Sequence, residues 1–140
     1  MTPEQMADIH AKAFHGQTRA WSLREFEDLL KEPHVLAVSD AQAFALGRLV
    51  ADEAEILTLA THPDHRRQGF AKSVLILLEQ VVMGRGGAVM FLEVASDNEA
   101  ALRLYESTGY AQSGRRNRYY KRVSGGAADA LILRKSLLPE

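Results

Sequence analysis

Apolar residues recur along this chain with two different periods, and the change between them outlines the fold. Met6, Ile9, Ala13 and Phe14 fall on one face of a 3.6-residue repeat. Thr2 as N-cap, Pro3 in the first turn and Gln5 as capping-box partner predict a helix that starts there and fades near Gly16. Ser22 with Glu25 three residues on predicts a second helix with Phe26, Leu29 and Leu30 inward, closed by Pro33. The period then shortens. Residues 35–39, 43–50 and 54–61 read as strands separated by short polar links around Asp40 and Asp52, an antiparallel meander.

Helical spacing returns over residues 70–83, with apolar residues at 70, 74, 77, 78 and 81 and a stop at Gly84-Arg85-Gly86-Gly87. Residues 88–95, AVMFLEVA, are almost wholly apolar and predict a central strand covered on both faces. Ser96 and Glu99 suggest another capping box, opening a helix over 97–108 with Ala101, Leu104, Tyr105 and Thr108 on one face and Gly109 as C-cap. Residues 110–122 and 130–136, with Ser124-Gly125-Gly126 between them, predict a final antiparallel pair. The resulting class is α/β: a mixed, largely antiparallel sheet with a central parallel pair joined by a helix, flanked by about four helices. In such a sheet, ligands bind beyond the carboxyl ends of the crossover strands.

Composition narrows the class without changing it. A chain of 140 residues, 46% hydrophobic and 25% charged with net charge -1, predicts one globular domain over 1–140. That balance gives no overall electrostatic case for DNA or a membrane surface. Zero cysteines remove disulfides, a thiol nucleophile and thiolate metal sites. Met1-Thr2-Pro3-Glu4-Gln5 does not begin a leader, and no window approaches a membrane span, so the expected location is the cytoplasm.

The chemistry concentrates at the strand-to-helix junction ATHPDHRRQGFA, residues 60–71. The first turn of a helix carries N–H groups without intrahelical partners, and a glycine there lets the backbone approach a bulky anion such as a pyrophosphate. Glu93 is the one charge in the apolar central strand. Unpaired there, it would be desolvated, with its pKa pushed upward, and suited to a general base; the alternative is a solvent-facing or arginine-paired carboxylate. Tyr105 is similarly open between a general acid and a packed core tyrosine. His62 and His65 lack a clear third ligand, and no metal is expected.

These motifs together resemble the GNAT acyl-CoA N-acyltransferase superfamily, and within it the RimI type, the N-terminal-alanine acetyltransferases of bacterial ribosomal proteins. The resemblance rests on RRQGFA within LTLATHPDHRRQGFA, on FLEV in the next strand and on DNEAALRLYESTGY in the next helix, and it spans nearly the whole chain. It implies acetyl-CoA as acyl donor. Leu59, Ala60 and Thr61 would face the pantetheine arm and acetyl carbonyl. Arg67, Gln68, Gly69, Phe70, Ala71 and Lys72 would cradle the pyrophosphate, and Asn98 would contact the cofactor arm. It further implies Glu93 as general base, Tyr105 as general acid and direct transfer in a ternary complex.

The acceptor is less legible. Residues 115–122, RRNRYYKR, carry five basic residues and no acid, so the rest of the chain is formally -6. That segment fits either an RNA contact or a hairpin beside the acceptor groove. The resemblance favours the hairpin, with Arg116, Arg118, Tyr119, Tyr120 and Trp21 near a protein or peptide N-terminus, a ribosomal protein among the candidates. The arginines would then favour acidic residues after a small first residue. A small-molecule amine acetyltransferase and a non-catalytic acyl-CoA-binding or RNA-associated module are the competing readings. The expected assembly is a monomer or weak dimer. The resemblance also implies that the N-terminal strand carried by many relatives is missing.

Overall fold

The computed structural model describes residues 1–14, 20–66, 68–122 and 125–138. Helices α1 (Pro3–Ala13) and α2 (Leu23–Lys31) precede β1 (Val35–Asp40), β2 (Ala43–Val50) and β3 (Glu53–Thr61). A one-turn 3-10 helix (Pro63–His65) leads into α3 (Phe70–Gly84), followed by β4 (Val89–Ala95), α4 (Glu99–Ser107), β5 (Ala111–Lys121) and β6 (Ala127–Ser136). Both N-terminal capping boxes form: Thr2 with Gln5 and Ser22 with Glu25 each exchange side-chain and backbone bonds. The third does not. Asn98 caps α4 by accepting from the Ala101 N–H at 3.2 Å, while the Ser96 hydroxyl accepts from the Asp129 N–H. Ser96 is held by β6 rather than by the helix, because its own N–H also bonds to the Asp129 carbonyl.

The six strands lie in the order β1-β2-β3-β4-β6-β5, antiparallel except for β3 and β4. Helix α3 makes the crossover between that parallel pair. The sheet separates two apolar clusters. Val74, Leu75, Leu78 and Val82 of α3 and Tyr105 of α4 pack with Ala45, Ile56, Met90, Leu92 and Leu133 on one face. Met6, Ile9 and Ala13 of α1 and Phe26 of α2 pack with Phe44, Leu46 and Ala60 on the other. Burying apolar area at roughly 25 cal/mol per Å² makes these two clusters the main source of stability.

Strand β4 is central but is not covered on both faces. Met90, Leu92 and Val94 are buried beneath α3 and α4, whereas Glu93, between Leu92 and Val94, is exposed. The helix pair α1/α2 covers the opposite face over β2 and β3, and an apolar sequence such as AVMFLEVA carries no record of where that cover stops. Strand β6 begins at Ala127, three residues ahead of the expected 130, because Ala127 and Ala128 pair with Lys121 and Tyr120.

One irregularity shapes the centre of the sheet. Leu46 pairs with Thr58 and Gly47 with Ile56, so Leu57 is the extra residue of a bulge in β3. Bulges bend and twist a strand away from its neighbour. Here β3 and β4 pair only from Glu53↔Val89 to Glu55↔Phe91, although β3 runs on to Thr61 and β4 to Ala95. Beyond Phe91 the parallel strands part, and the carboxyl-end halves of both are free of each other.

Candidate active site

A cleft of about 740 Å³ sits at this divergence. Its walls come from the end of β3 (Leu59, Ala60, Thr61), the turn and first residues of α3 (Arg66, Gly69, Phe70, Ala71, Lys72) and one face of α4 (Asn98, Ala101, Tyr105). The α4 spacing of three and then four residues places Asn98, Ala101 and Tyr105 on one stripe. Of the twelve proposed catalytic and cofactor residues, eleven are described and nine of these line the cleft; Gln68 and Glu93 do not, and Arg67 lies outside the described residues.

The cleft offers two kinds of surface. Gly69 is the N-cap of α3 at φ 83°, where an L side chain is strained, and a Cβ there would meet nothing within 4 Å. Among the described residues no side chain caps that first turn, so the helix presents bare N–H groups and its positive dipole end to whatever enters. Lys72 and Arg103 add positive charge along the same cleft. Leu59, Phe70, Ala101 and Leu104 supply an apolar stretch. The Thr61 hydroxyl is buried without a hydrogen-bond partner among the described residues, an arrangement that costs about 1–3 kcal/mol unless a ligand satisfies it. An elongated ligand with an anionic part, an apolar part and polar groups fits this surface. Arg66 ties the turn to the first helix, its Nη2 donating to the Ala13 carbonyl at 2.9 Å.

Tyr105 is 7% exposed, and burial pushes its phenol up to about 12. Its hydroxyl has no hydrogen-bond partner among the described residues and is a proton donor without an acceptor.

Glu93 occupies different ground. It lines a second hollow of about 560 Å³ on the opposite sheet face, with Arg48, Glu53, Glu55, Phe91 and Ile132. The expected desolvation is absent: the residue is exposed, and an Oε lies 3.4 Å from Arg116 Nε. The arginine-paired alternative is therefore the geometry observed. The carboxylate remains about one-third exposed (32%).

The basic segment is less free than its sequence suggests. Arg115 pairs with Asp129, Arg116 with Glu93 and Arg122 with Asp97. Arg118, at φ 53°, donates its backbone N–H to Asp129 at 2.7 Å. Tyr119 sits under Arg116 and Tyr120 under Arg122, with the cation 5.3 Å and 5.5 Å from the ring centres. Burial, then the Glu93 charge, pushes the Tyr120 phenol upward, which marks it as a neighbour of that carboxylate. Acids distant in sequence thus neutralise most of the run, and the hollow beside it is lined by Asp52, Glu53, Glu55 and Glu93 against Arg48 alone. The expected preference for acidic acceptors loses its electrostatic basis. Trp21 stacks on His10 at 5.1 Å and donates its backbone N–H to His10 Nδ1, so it packs the α1–α2 junction and lines neither cavity.

Sequence reasoning missed Arg103, and it named Arg66 only as part of a motif. Arg103 lies five residues after Asn98, a spacing that signals nothing until the tilt of α4 over the cleft is known. Among the described residues no cluster of three or more His, Cys, Asp or Glu could hold a metal ion, and no helix is long and apolar enough to cross a membrane.

Comparison with known proteins agrees with this geometry. The chain is 40% identical to the ribosomal protein bS18-alanine N-acetyltransferase of Escherichia coli (strain K12), over 86% of each chain. It is 36% identical to the N-alpha-acetyltransferase RimI of Mycobacterium tuberculosis, over 94% of this chain and 85% of that one. The crystal structure of the ribosomal-protein-S18-alanine N-acetyltransferase from Escherichia coli superposes with a TM-score of 0.86 and 29% identity, covering 99% of this chain and 89% of that chain. An aminoglycoside 6'-N-acetyltransferase complexed with coenzyme A shares the fold at a TM-score of 0.80 and 16% identity, over 99% and 92% of the two chains. Residues 4–110 match the model of the acetyltransferase (GNAT) family. With a split parallel pair, an uncapped helix N-terminus at its mouth and these relatives, the chain belongs to the acetyltransferase (GNAT) family.

Proposed function

We propose that the protein transfers an acetyl group from acetyl-CoA to the N-terminal α-amino group of a protein, with an alanine-starting ribosomal protein as the acceptor class. The observation that carries this reading is the cleft shared by the bare first turn of α3 and the Tyr105 phenol, with the Glu93 carboxylate opening on the other side of the strand divergence. Donor and acceptor can then approach from opposite faces of the sheet and meet where β3 and β4 part.

Acetyl-CoA supplies a thioester, whose C–S bond breaks as the new C–N bond forms. Gly69, Phe70, Ala71 and Lys72 would hold its phosphates, Leu59 to Thr61 its pantetheine arm, and Asn98 a polar group of that arm. An ammonium group cannot attack because its lone pair is occupied. Glu93 takes that proton, directly or through water, and Tyr105 gives its proton to the departing sulfur. Its position in the wall of the same cleft as the bare first turn of α3 equips Tyr105 for the second task. Arg116 keeps Glu93 anchored beside Tyr120. The reaction belongs to the cytoplasm, where acetyl-CoA and nascent ribosomal proteins occur together.

Turnover of acetyl-CoA is measured with peptides that start with Ala, and with polyamines and aminoglycosides as competing acceptors. Peptides are expected to react and the free amines to remain unmodified. Because carboxylates line the hollow beside Glu93, peptides with Lys at positions two to four should outpace those with Glu, by a margin that shrinks with salt. Faster acetylation of polyamines than of any peptide would replace this reading with the small-molecule one.

A further inference from the structure

A buried polar cluster lies behind the cleft and takes no part in the chemistry above. Glu79 of α3 is 6% exposed, and its two carboxylate oxygens each have one partner. Oε2 accepts from the Tyr110 hydroxyl at 2.7 Å and Oε1 from Lys135 Nζ at 2.9 Å. Lys135 Nζ also lies 5.6 Å from the centre of the Tyr110 ring. A charge removed from water is expensive unless paired and hydrogen-bonded, so such a cluster holds its members in one arrangement.

Tyr110 connects this cluster to the active site. Its ring meets the Tyr105 ring edge to face, with centres 5.6 Å apart. Its N–H donates to the Tyr105 carbonyl at 3.0 Å, across a reversal at Gly109, which has φ 102°. A Cβ on Gly109 would sit 3.4 Å from Lys135 Cε, so the reversal is seated against the same lysine. Tyr105 has no hydrogen bond from its own hydroxyl to the described residues. Packing alone therefore aims its phenol, and its aromatic packing partner is a ring whose far end is hydrogen-bonded to α3.

We propose that Tyr110, locked by Glu79 and Lys135, is a positioning residue that holds Tyr105 at the angle needed to deliver its proton. The inference rests on the assignment of Tyr105 as general acid. It links the proton donor to α3, the helix whose first turn lines the cofactor side of the same cleft, so both are referenced to one rigid element. Edge-to-face contact leaves a ring free to slide unless its other end is fixed, and the Glu79 bond supplies that restraint.

The test is a double-mutant cycle on the full chain with an alanine-starting peptide. Tyr105→Phe should lower kcat, and Tyr110→Phe should lower kcat about tenfold with KM for acetyl-CoA unchanged. In the Tyr105→Phe background, the added Tyr110→Phe change should cost almost nothing, because no proton donor is left to aim. Glu79→Gln keeps one acceptor oxygen, for the Tyr110 hydroxyl but not for Lys135 as well, and should lose less kcat than Glu79→Leu, which should reproduce the Tyr110→Phe loss. An equal Tyr110→Phe loss in both backgrounds, or an unchanged kcat in Tyr110→Phe, would overturn the positioning role and leave the acid assignment standing. Full kcat in Tyr105→Phe would remove the acid assignment and the positioning role with it.

Discussion

Arg116 Nε lies 3.4 Å from a Glu93 carboxylate oxygen, and the two residues belong to strands that are not neighbours. Glu93 pairs with Ile132 of β6, and Arg116 of β5 pairs with Ala130, so the ion pair spans β6 diagonally. Glu93→Gln should lower kcat about 10²-fold while acetyl-CoA affinity stays unchanged, since Glu93 lies outside the cleft that holds Gly69 and Tyr105. Arg116→Ala leaves the carboxylate in place and should have the smaller effect on kcat. Steady-state kinetics beside calorimetric titration of acetyl-CoA separate these outcomes. Full activity in Glu93→Gln would make the pair purely structural.

Gly69→Glu should abolish acetyl-CoA binding in a protein that still folds. The substitution adds strain at φ 83°, about 1 kcal/mol, and directs a carboxylate towards the uncapped N–H groups. Unchanged affinity by calorimetry would remove this turn as the phosphate cradle.

Thr61→Val replaces an orphaned hydroxyl with a methyl of similar size. The free protein should gain about 1 kcal/mol of stability, a rise of about 3 °C in Tm, because a buried group without a partner is eliminated. If the hydroxyl turns to the bound donor, the stabilisation that acetyl-CoA confers on the variant should shrink. An equal ligand-induced shift in Tm for both proteins would show that the hydroxyl takes no part in binding.

Asp97 and Arg122 form a bidentate pair at 2.9 and 2.6 Å, and the bond from Arg122 holds the Asp97 carboxyl below its usual 3.8. A depressed folded-state value means that the unfolded chain binds the proton first. The stabilisation is therefore complete above about pH 4 and is lost as pH falls through the folded value. In urea unfolding, the stability gap between wild type and Asp97→Asn should be constant above that pH and narrow below it. A gap independent of pH down to acid unfolding would contradict the sign.

The local elements were legible because their signals are local. Thr2 and Gln5, or Ser22 and Glu25, satisfy helix N–H groups three residues away, and a 3.6-residue apolar repeat needs only one buried face to be meaningful. The strand-turn-helix block from Leu59 to Lys72 is likewise contiguous, so the phosphate-facing turn could be recognised as a string. Asn98 against Ser96 shows the limit: both are good caps, and the contact of Ser96 with Asp129, thirty-three residues away, decided between them. Burial of Glu93 depended on where α1 and α2 stop covering the sheet, and its partner depended on the order β4-β6-β5. The same long-range pairing neutralised Arg115, Arg116 and Arg122, which in sequence form an unopposed run of charge. Sequence alone determined which residue types and backbone turns were present, because those follow from covalent order and near-neighbour sterics. The tertiary structure decided which charges are spent on one another and which sheet face each reactive group opens on, because both depend on groups brought together only by folding.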